Sequence, residues 1–193
     1  KSSAASDVYK RQIDRIIDGM AIKVLNDSPD KAYYSVTNDD IHLPPKEVFD
    51  NDHAYNSTLL HELSHATGAK SRLDRVQSGI RNTSDYAVEE LVAEISSCFT
   101  GADIGLQYEP AEFKNHKAYV QSWISAIEQK QEVLFEAIRQ ADRAADYLLE
   151  KGELLKVNEN ENENVEGVME NSTQSVDLSL IHISEPTRLL SIS

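Results

Sequence analysis

The stretch from Leu59 to Gly68 reads LLHELSHATG and contains the pattern H-E-x-x-H. Residues four apart lie on one face of a helix, so His61 and His65 can each direct a ring nitrogen at one cation. Glu62 adjoins the first histidine and is well placed to take a proton from water that the metal activates. This is the pattern of zinc hydrolases. The alternative is an ordinary surface helix with two unpaired histidines, because short patterns also arise by chance.

A third metal ligand is offered by EELVAE, residues 89 to 94. Glu90 follows His65 by 25 residues, which is enough for a loop and a return helix that crosses the first. Glu90 and Glu94 are four apart, so one can ligate the metal while the other accepts a hydrogen bond from a ligand histidine. Glu89 points about a hundred degrees away and is expected to face solvent. The alternative, a charged outer helix face, fits poorly with acids directly beside apolar residues.

The remaining patterns predict a small sheet followed by helices, which is an α+β fold. IDRIIDG predicts a short helix that ends at Gly19, and AIKVL, AYYSVT and NDDIHLPP each predict a short strand. A helix from about Asn56 carries an apolar stripe of Leu59, Leu60, Leu63 and Ala66 and stops at Gly68.

Three further helices are predicted in the second half of the chain. The first, YAVEELVAEISSCFTGA, can be capped by Ser84 or Asp85, and its Leu91, Ile95, Cys98 and Ala102 are expected to share one face. Pro110 opens the next helix, which runs through Trp123 and Ile127. The last helix, EVLFEAIRQADRAADYLLEKG, is expected to end at Gly152.

Both ends of the chain look foreign to it. Asp7 to Gln12 can be encoded by a DNA string whose reverse complement encodes LSLIHI, Leu178 to Ile183. The two ends resemble translated adapters of a transposase-based sequencing library, which SEPTR would continue. We therefore expect residues 1–12 and 178–193 to be adapter-derived, not native, and to pack against nothing. The natural part is then expected to be a fragment of a longer protein.

The segment 156–177, KVNENENENVEGVMENSTQSVD, alternates Asn and Glu and has few apolar residues. Such a composition cannot bury enough surface to offset the entropy of ordering, so we expect a disordered acidic tail. The foldable domain is therefore expected to be residues 13–155.

Composition excludes several classes of protein. The chain has 193 residues, 40% of them hydrophobic and 27% charged, as in an ordinary soluble globular domain. A net charge of −14 argues against binding nucleic acid through its phosphates, and no apolar run is long enough to span a membrane. The lone Cys98 excludes an internal disulfide, fits a reducing compartment such as the cytoplasm, and is expected to be a small buried residue.

Four segments together resemble the metallopeptidase domain of ArdC-type antirestriction proteins, which has relatives in polyvalent proteins of plasmids and phages. They are AYYSVTNDDIHLPPKEVF, YNSTLLHELSHATGAKSRLDR, YAVEELVAEI and NHKAYVQSWI. The resemblance runs from about residue 32 to residue 149 and implies a zincin-like fold with a zinc peptidase site. It also implies that His61, His65 and Glu90 are the metal ligands and that Glu62 is the catalytic acid and base. The spacing of Glu90 and Glu94 is similar to the ligand helix of gluzincins, in which a supporting acid follows the ligand by four.

Two departures from that family matter. Ala66 stands where the family more often has an aromatic residue, which is expected to alter the pocket wall. The family's N-terminal domain that binds single-stranded DNA is not found in this sequence, and the expected truncation before Ile13 would have removed it. We therefore assign no DNA binding to this fragment and expect any binding of single-stranded DNA to belong to the missing domain.

Other candidate residues are supported by less. His116, Tyr119 and Tyr86 can polarise a substrate carbonyl or stabilise an oxyanion, although packing with an exposed hydroxyl is the better explanation for the two tyrosines. The segment IHLP, residues 41–44, could offer an edge strand to an extended peptide.

Two functions remain open from the sequence. The first is a zinc-dependent peptidase that hydrolyses a peptide or protein substrate and, by resemblance, protects mobile DNA from host restriction. The second is a non-enzymatic acidic zincin scaffold that binds and blocks a restriction protein or another host protein. Intact Glu62 favours the enzyme, because a pure binding module has no chemical need for it.

Overall fold

Helices and one small sheet make up the regular structure of the described chain. A computed structural model describes residues 4–75, 84–106 and 131–155. The helices are α1 (Ala4–Met20), α2 (Asp52–Ala66), α3 (Ser84–Ile104) and α4 (Gln131–Lys151), with a 3-10 turn at Lys46–Val48. The strands are β1 (Lys23–Leu25), β2 (Tyr33–Ser35) and β3 (Asp40–His42). The predicted α+β class is confirmed, and the predicted helix after Pro110 lies outside the described residues.

Helix α1 is much longer than the sequence predicted. It begins at Ala4, and the spacing of Tyr9, Ile13, Ile16 and Met20 puts all four on its buried face. Tyr9 is only 7% exposed and belongs to the main hydrophobic core. The expectation that residues 1–12 pack against nothing is therefore wrong for this residue. The adapter origin of the segment is a separate matter and stays a prediction.

The sheet has the order β1-β3-β2, so β3 lies in its centre. β1 pairs with β3 in parallel and β2 pairs with β3 in antiparallel. Ile41 and Leu43 are fully buried, and the Leu43 amide continues the ladder by donating to the carbonyl of Leu25 at 2.8 Å. The prediction that IHLP forms an edge strand is therefore wrong, since both sides of β3 are occupied.

Helix α2 carries the H-E-x-x-H pattern and is well anchored. It begins at Asp52, four residues before the predicted start, because the side chain of Asn51 accepts a hydrogen bond from the Ala54 amide at 2.8 Å. The predicted apolar stripe is confirmed, since all four of its members are buried: Leu59, Leu60, Leu63 and Ala66. Helix α2 ends at Ala66, two residues before the predicted stop. Ala66 packs in the hydrophobic core.

An ion pair fixes the end of α2 to the turn between β2 and β3. Arg72 binds both carboxylate oxygens of Asp39 at 2.7 and 2.9 Å and donates to the carbonyl of Ala66 at 3.0 Å. Asp39 has a φ of 55°, a left-handed conformation that Asp tolerates better than most residues. The hydroxyl of Tyr34 also donates to Asp39, at 2.8 Å. These contacts hold the helix that carries the histidines against the sheet.

Helix α3 crosses α2 closely because small residues face each other. Ser64 donates to Ser96 across the interface at 3.2 Å, and both serines are fully buried. On another side of α3, Leu91 and Val92 pack with Ala137 and Ala141 of α4. The helix begins at Ser84, so both predicted cap residues lie inside its first turn. The expectation that Cys98 is buried is wrong, because this residue is only half-buried, and Ala102 on the same predicted face is exposed.

Helix α4 ends against α1 at Gly19. A Cβ atom at Gly19 would lie 1.8 Å from the carbonyl oxygen of Lys151, so only glycine fits at this contact. Helix α4 itself ends at Lys151, next to the predicted stop at Gly152. All described residues lie in one unit. The predicted acidic tail, residues 156–177, and the end predicted to be adapter-derived, residues 178–193, lie outside the described residues. None of the described helices is long and apolar enough to cross a membrane.

Candidate metal centre

The two histidines of α2 direct ring nitrogens at the same point. His61 and His65 are one helical turn apart, and their Nε2 atoms lie 3.1 Å from each other. Their rings are almost perpendicular, at 84°. Two ring nitrogens at this distance can share a proton or, with both lone pairs free, a cation.

Glu90 of α3 completes the group. Its Oε2 lies 3.6 Å from Nε2 of His61, and its Oε1 lies 3.8 Å from Nε2 of His65. One ligand atom from each of the three residues falls within 4.8 Å of the others. The structure therefore brings together the three ligands that the sequence predicted.

The donor atoms fit a divalent cation. Nitrogens about 2.0 Å from a tetrahedral zinc would lie about 3.3 Å from each other. The two Nε2 atoms lie 3.1 Å apart, and the carboxylate of Glu90 is only a few tenths of an ångström further than this arrangement needs. Two imidazoles and one carboxylate also leave positions open on the ion, as catalytic zinc sites do.

Glu94 lies behind His61. Its Oε2 accepts a hydrogen bond from Nδ1 of His61 at 3.1 Å, and the residue is only 5% exposed. With Nδ1 protonated in this way, Nε2 carries the free lone pair that a metal needs. This is the contact that the spacing of Glu90 and Glu94 predicted.

The prediction that Glu89 faces solvent is wrong. Glu89 is 6% exposed, and its Oε1 accepts a hydrogen bond from Nδ1 of His65 at 3.3 Å. Arg75 also binds both oxygens of this carboxylate. The expectation rested on helical geometry, which turns Glu89 about a hundred degrees away from Glu90 around α3. The role of Glu89 could have been predicted from the chemistry of the second histidine, because His65 needs an acceptor for its Nδ1–H just as His61 does.

The remaining predicted site residues differ in what the structure says of them. Glu62 is buried, at 6% exposed, and its negative charge acts on His61. Tyr86 lies one turn before Glu90 on α3 and hydrogen-bonds to its carboxylate. His116 and Tyr119 lie outside the described residues.

The site is strongly negative, with four carboxylates around the two imidazoles. Burial alone would lower the pKa of His61, but hydrogen bonds to Glu90 and Glu94 outweigh it and raise the pKa to about 10. Burial opposes ionisation of Glu90 too, yet its interactions with His61 and His65 keep the pKa of this carboxyl below its ordinary value. Positive charge is therefore favoured between these residues, which suits a cation.

Known proteins resemble this chain over most of its described length. A family model described as a zincin-like metallopeptidase matches residues 11–140. The Mn(II)-bound crystal structure of the antirestriction ArdC protein from plasmid R388 superposes with a TM-score of 0.62 at 39% identity, covering 73% of this chain and 52% of that one. The metal-free structure of that protein gives a TM-score of 0.60 at 36% identity, covering 76% and 52%.

A longer relative matches the same part of the chain. DNA primase TraC of Escherichia coli is 37% identical over 136 residues, which are 70% of this chain and 12% of the primase. The chain thus spans about half the length of the antirestriction protein and a small part of the primase. Because the family model covers well over half of the sequence, the chain belongs to the zincin-like metallopeptidase family.

Proposed function

We propose that this domain is a zinc-dependent peptidase, with His61, His65 and Glu90 as the zinc ligands and Glu62 as the catalytic acid and base. The observation that carries the proposal is the convergence of three donor groups within 4.8 Å of one another. The buried carboxylate of Glu62 lies on the helix that carries both histidines. This combination is the one that metal-dependent hydrolysis requires.

Zinc is the metal that the donor set favours. Two imidazoles and one carboxylate are typical of catalytic zinc sites, whereas manganese is more often held by oxygen ligands. Mn(II) in the structure of the R388 antirestriction protein is consistent with a site that accepts divalent cations. Metal analysis of the purified chain therefore distinguishes the two ions.

The residues around the site divide the chemistry between them. A divalent cation held there supplies Lewis acidity, which polarises a carbonyl and makes water more acidic. Glu62 accepts the proton of the attacking water and returns it to the amine that leaves. Glu94 keeps the ring of His61 in the tautomer that ligates through Nε2. The hydroxyl of Tyr86 can donate to the developing oxyanion once it turns away from the carboxylate of Glu90, and His116 and Tyr119 are further candidates for this task.

The relatives suggest where such an activity would be used. One is named an antirestriction protein of a plasmid, so we propose that this domain acts on a peptide or protein substrate in the cytoplasm and contributes to antirestriction. The net charge of −14 disfavours binding of the nucleic-acid backbone by this chain itself, because like charges repel.

The test is cleavage of a peptide library by the wild-type chain and by Glu62→Gln, each with its zinc content measured. We expect both proteins to hold one zinc and the variant to lose cleavage by about 10²- to 10⁴-fold, because the loss of a general base costs about this much. A chelator should abolish the wild-type activity and added zinc should restore it. If the zinc-loaded wild type cleaves no faster than Glu62→Gln, the proposed peptidase activity is contradicted. The non-enzymatic binding scaffold would then be the remaining function.

A further inference from the structure

Arg75 and Glu89 form a buried ion pair between the end of α2 and the start of α3. Nη2 of Arg75 donates to Oε1 of Glu89 at 2.8 Å, and Nε donates to Oε2 at 3.0 Å. The side chains are 5% and 8% exposed, respectively. A two-pronged pair of this kind fixes the carboxylate in orientation as well as in position.

The guanidinium is itself held from the other side. Its Nη1 donates to Oγ1 of Thr67 at 2.6 Å, and its Nη2 also donates to the carbonyl of Ser64 at 2.8 Å. Thr67 in turn donates to the same carbonyl at 2.7 Å. Arg75 therefore joins the last turn of α2, which carries His65, to the carboxylate on α3. A lysine could not make these contacts at once, because it presents a single ammonium group.

One oxygen of this pair also faces a proposed metal ligand. Oε1 of Glu89 accepts hydrogen bonds from Arg75 and from Nδ1 of His65, the latter at 3.3 Å. We propose that Glu89 and Arg75 are positioning residues that fix the ring and tautomer of His65, so that its Nε2 is presented to the metal. This inference rests on the proposed function, because it assigns the two residues a task at the same metal site.

Charge supports this arrangement over a purely structural pair. The guanidinium of Arg75 binds both oxygens of Glu89, at 2.8 and 3.0 Å, and so holds the side chain as a carboxylate. An ionised Glu89 can only accept, so Nδ1 of His65 must donate and Nε2 keeps its lone pair. Buried ion pairs by themselves add little net stability, so stability alone is a weak reason for this one.

Three variants of the full chain test the inference: Glu89→Gln, Arg75→Lys and the control Glu136→Gln. Glu136 lines the same cavity as Arg75 and Glu89, about 380 Å³ in volume, and bonds to Arg139 and Gln140 on its own helix. Glu136→Gln therefore changes the net charge as Glu89→Gln does without touching a ligand. Competitive zinc titration, the visible spectrum of the cobalt(II) form and thermal unfolding of the metal-free chain are measured for each.

We expect Glu89→Gln to bind zinc about 10-fold more weakly, on the scale of lost supporting contacts, and to change the cobalt spectrum. Arg75→Lys should show a smaller loss in the same direction, and this variant decides the matter if Glu89→Gln does not fold. Glu136→Gln should match the wild type. If both site variants keep the zinc affinity and the cobalt spectrum of the wild type and only their melting temperatures fall, this inference is overturned while the proposed function stands. A wild-type chain that binds no zinc would overturn the proposed function as well.

Discussion

Glu94 offers the sharpest test of whether the carboxylates of α3 support metal binding by the histidines of α2. Its Oε2 lies 3.1 Å from Nδ1 of His61, and it is almost completely buried. Replacing it with Gln keeps an oxygen that can accept the same hydrogen bond but removes the charge. Replacing it with Ala removes the acceptor and leaves the Nδ1–H of His61 without this partner.

The size of the effect follows from that contact. Supporting contacts to ligand histidines are worth about 10- to 100-fold in metal affinity, or about 1.4 to 2.7 kcal/mol. A hydrogen bond to a charged group contributes about 1.5 to 3 kcal/mol, which agrees with this range. We therefore expect Glu94→Gln near the lower end and Glu94→Ala near the upper end. Glu90→Ala should lose more than either, because it removes a ligand oxygen.

The assay is competitive zinc titration of these variants against a chelator of known affinity. Asp85→Asn is a suitable control, because it removes one negative charge from an exposed position on the same helix. We expect its zinc affinity to equal that of the wild type. If the Glu94 and Glu90 variants bind zinc as tightly as this control, the reasoning is refuted. Both carboxylates would then belong to an ordinary charged helix face.

Three further predictions concern the fold and are tested by urea and thermal unfolding. Gly19→Ala should cost about 1 to 3 kcal/mol, because its Cβ would lie 1.8 Å from the Lys151 carbonyl oxygen; wild-type stability would contradict that contact. Tyr9→Ala should cost about 3 kcal/mol, and a neutral effect would show that the segment before residue 13 adds nothing to the core. The hydrogen bond from Arg72 lowers the pKa of Asp39 in the folded chain. The ion pair therefore stabilises the fold above pH about 3.9, the ordinary pKa of Asp, and this stabilisation is lost as pH falls through the lowered pKa of Asp39. Asp39→Asn should thus cost at most about 1 kcal/mol at neutral pH, since Asp39 is half-exposed, and nothing in strong acid; a pH-independent difference would contradict this sign.

Local patterns predicted the parts of the site that lie within one helix. His61 and His65 four apart, and Glu90 and Glu94 four apart, required only helical geometry. Glu89 could not be placed in the same way, because its role depends on how α3 lies across α2. That crossing brings Ser64 and Ser96 into contact, and helical periodicity alone does not predict it.

The sheet and α1 show two other limits of sequence reasoning. Strand patterns predicted three strands but could not give their order, because the parallel pairing of β1 with β3 joins segments that are not adjacent in sequence. In α1, the adapter interpretation excludes residues 1–12 from the fold, although Tyr9 packs in the hydrophobic core. Tyr9 and Ile13 are four apart and share the buried face, so the helical pattern continues through that boundary.

The most direct test of the metal centre is the zinc content of the full chain, measured by elemental analysis after purification without added metal. We expect one zinc per chain in the wild type and in Glu62→Gln, and none in His61→Ala, His65→Ala or Glu90→Ala. A wild type without zinc, or a Glu90→Ala chain that keeps a full equivalent, would contradict the ligand set.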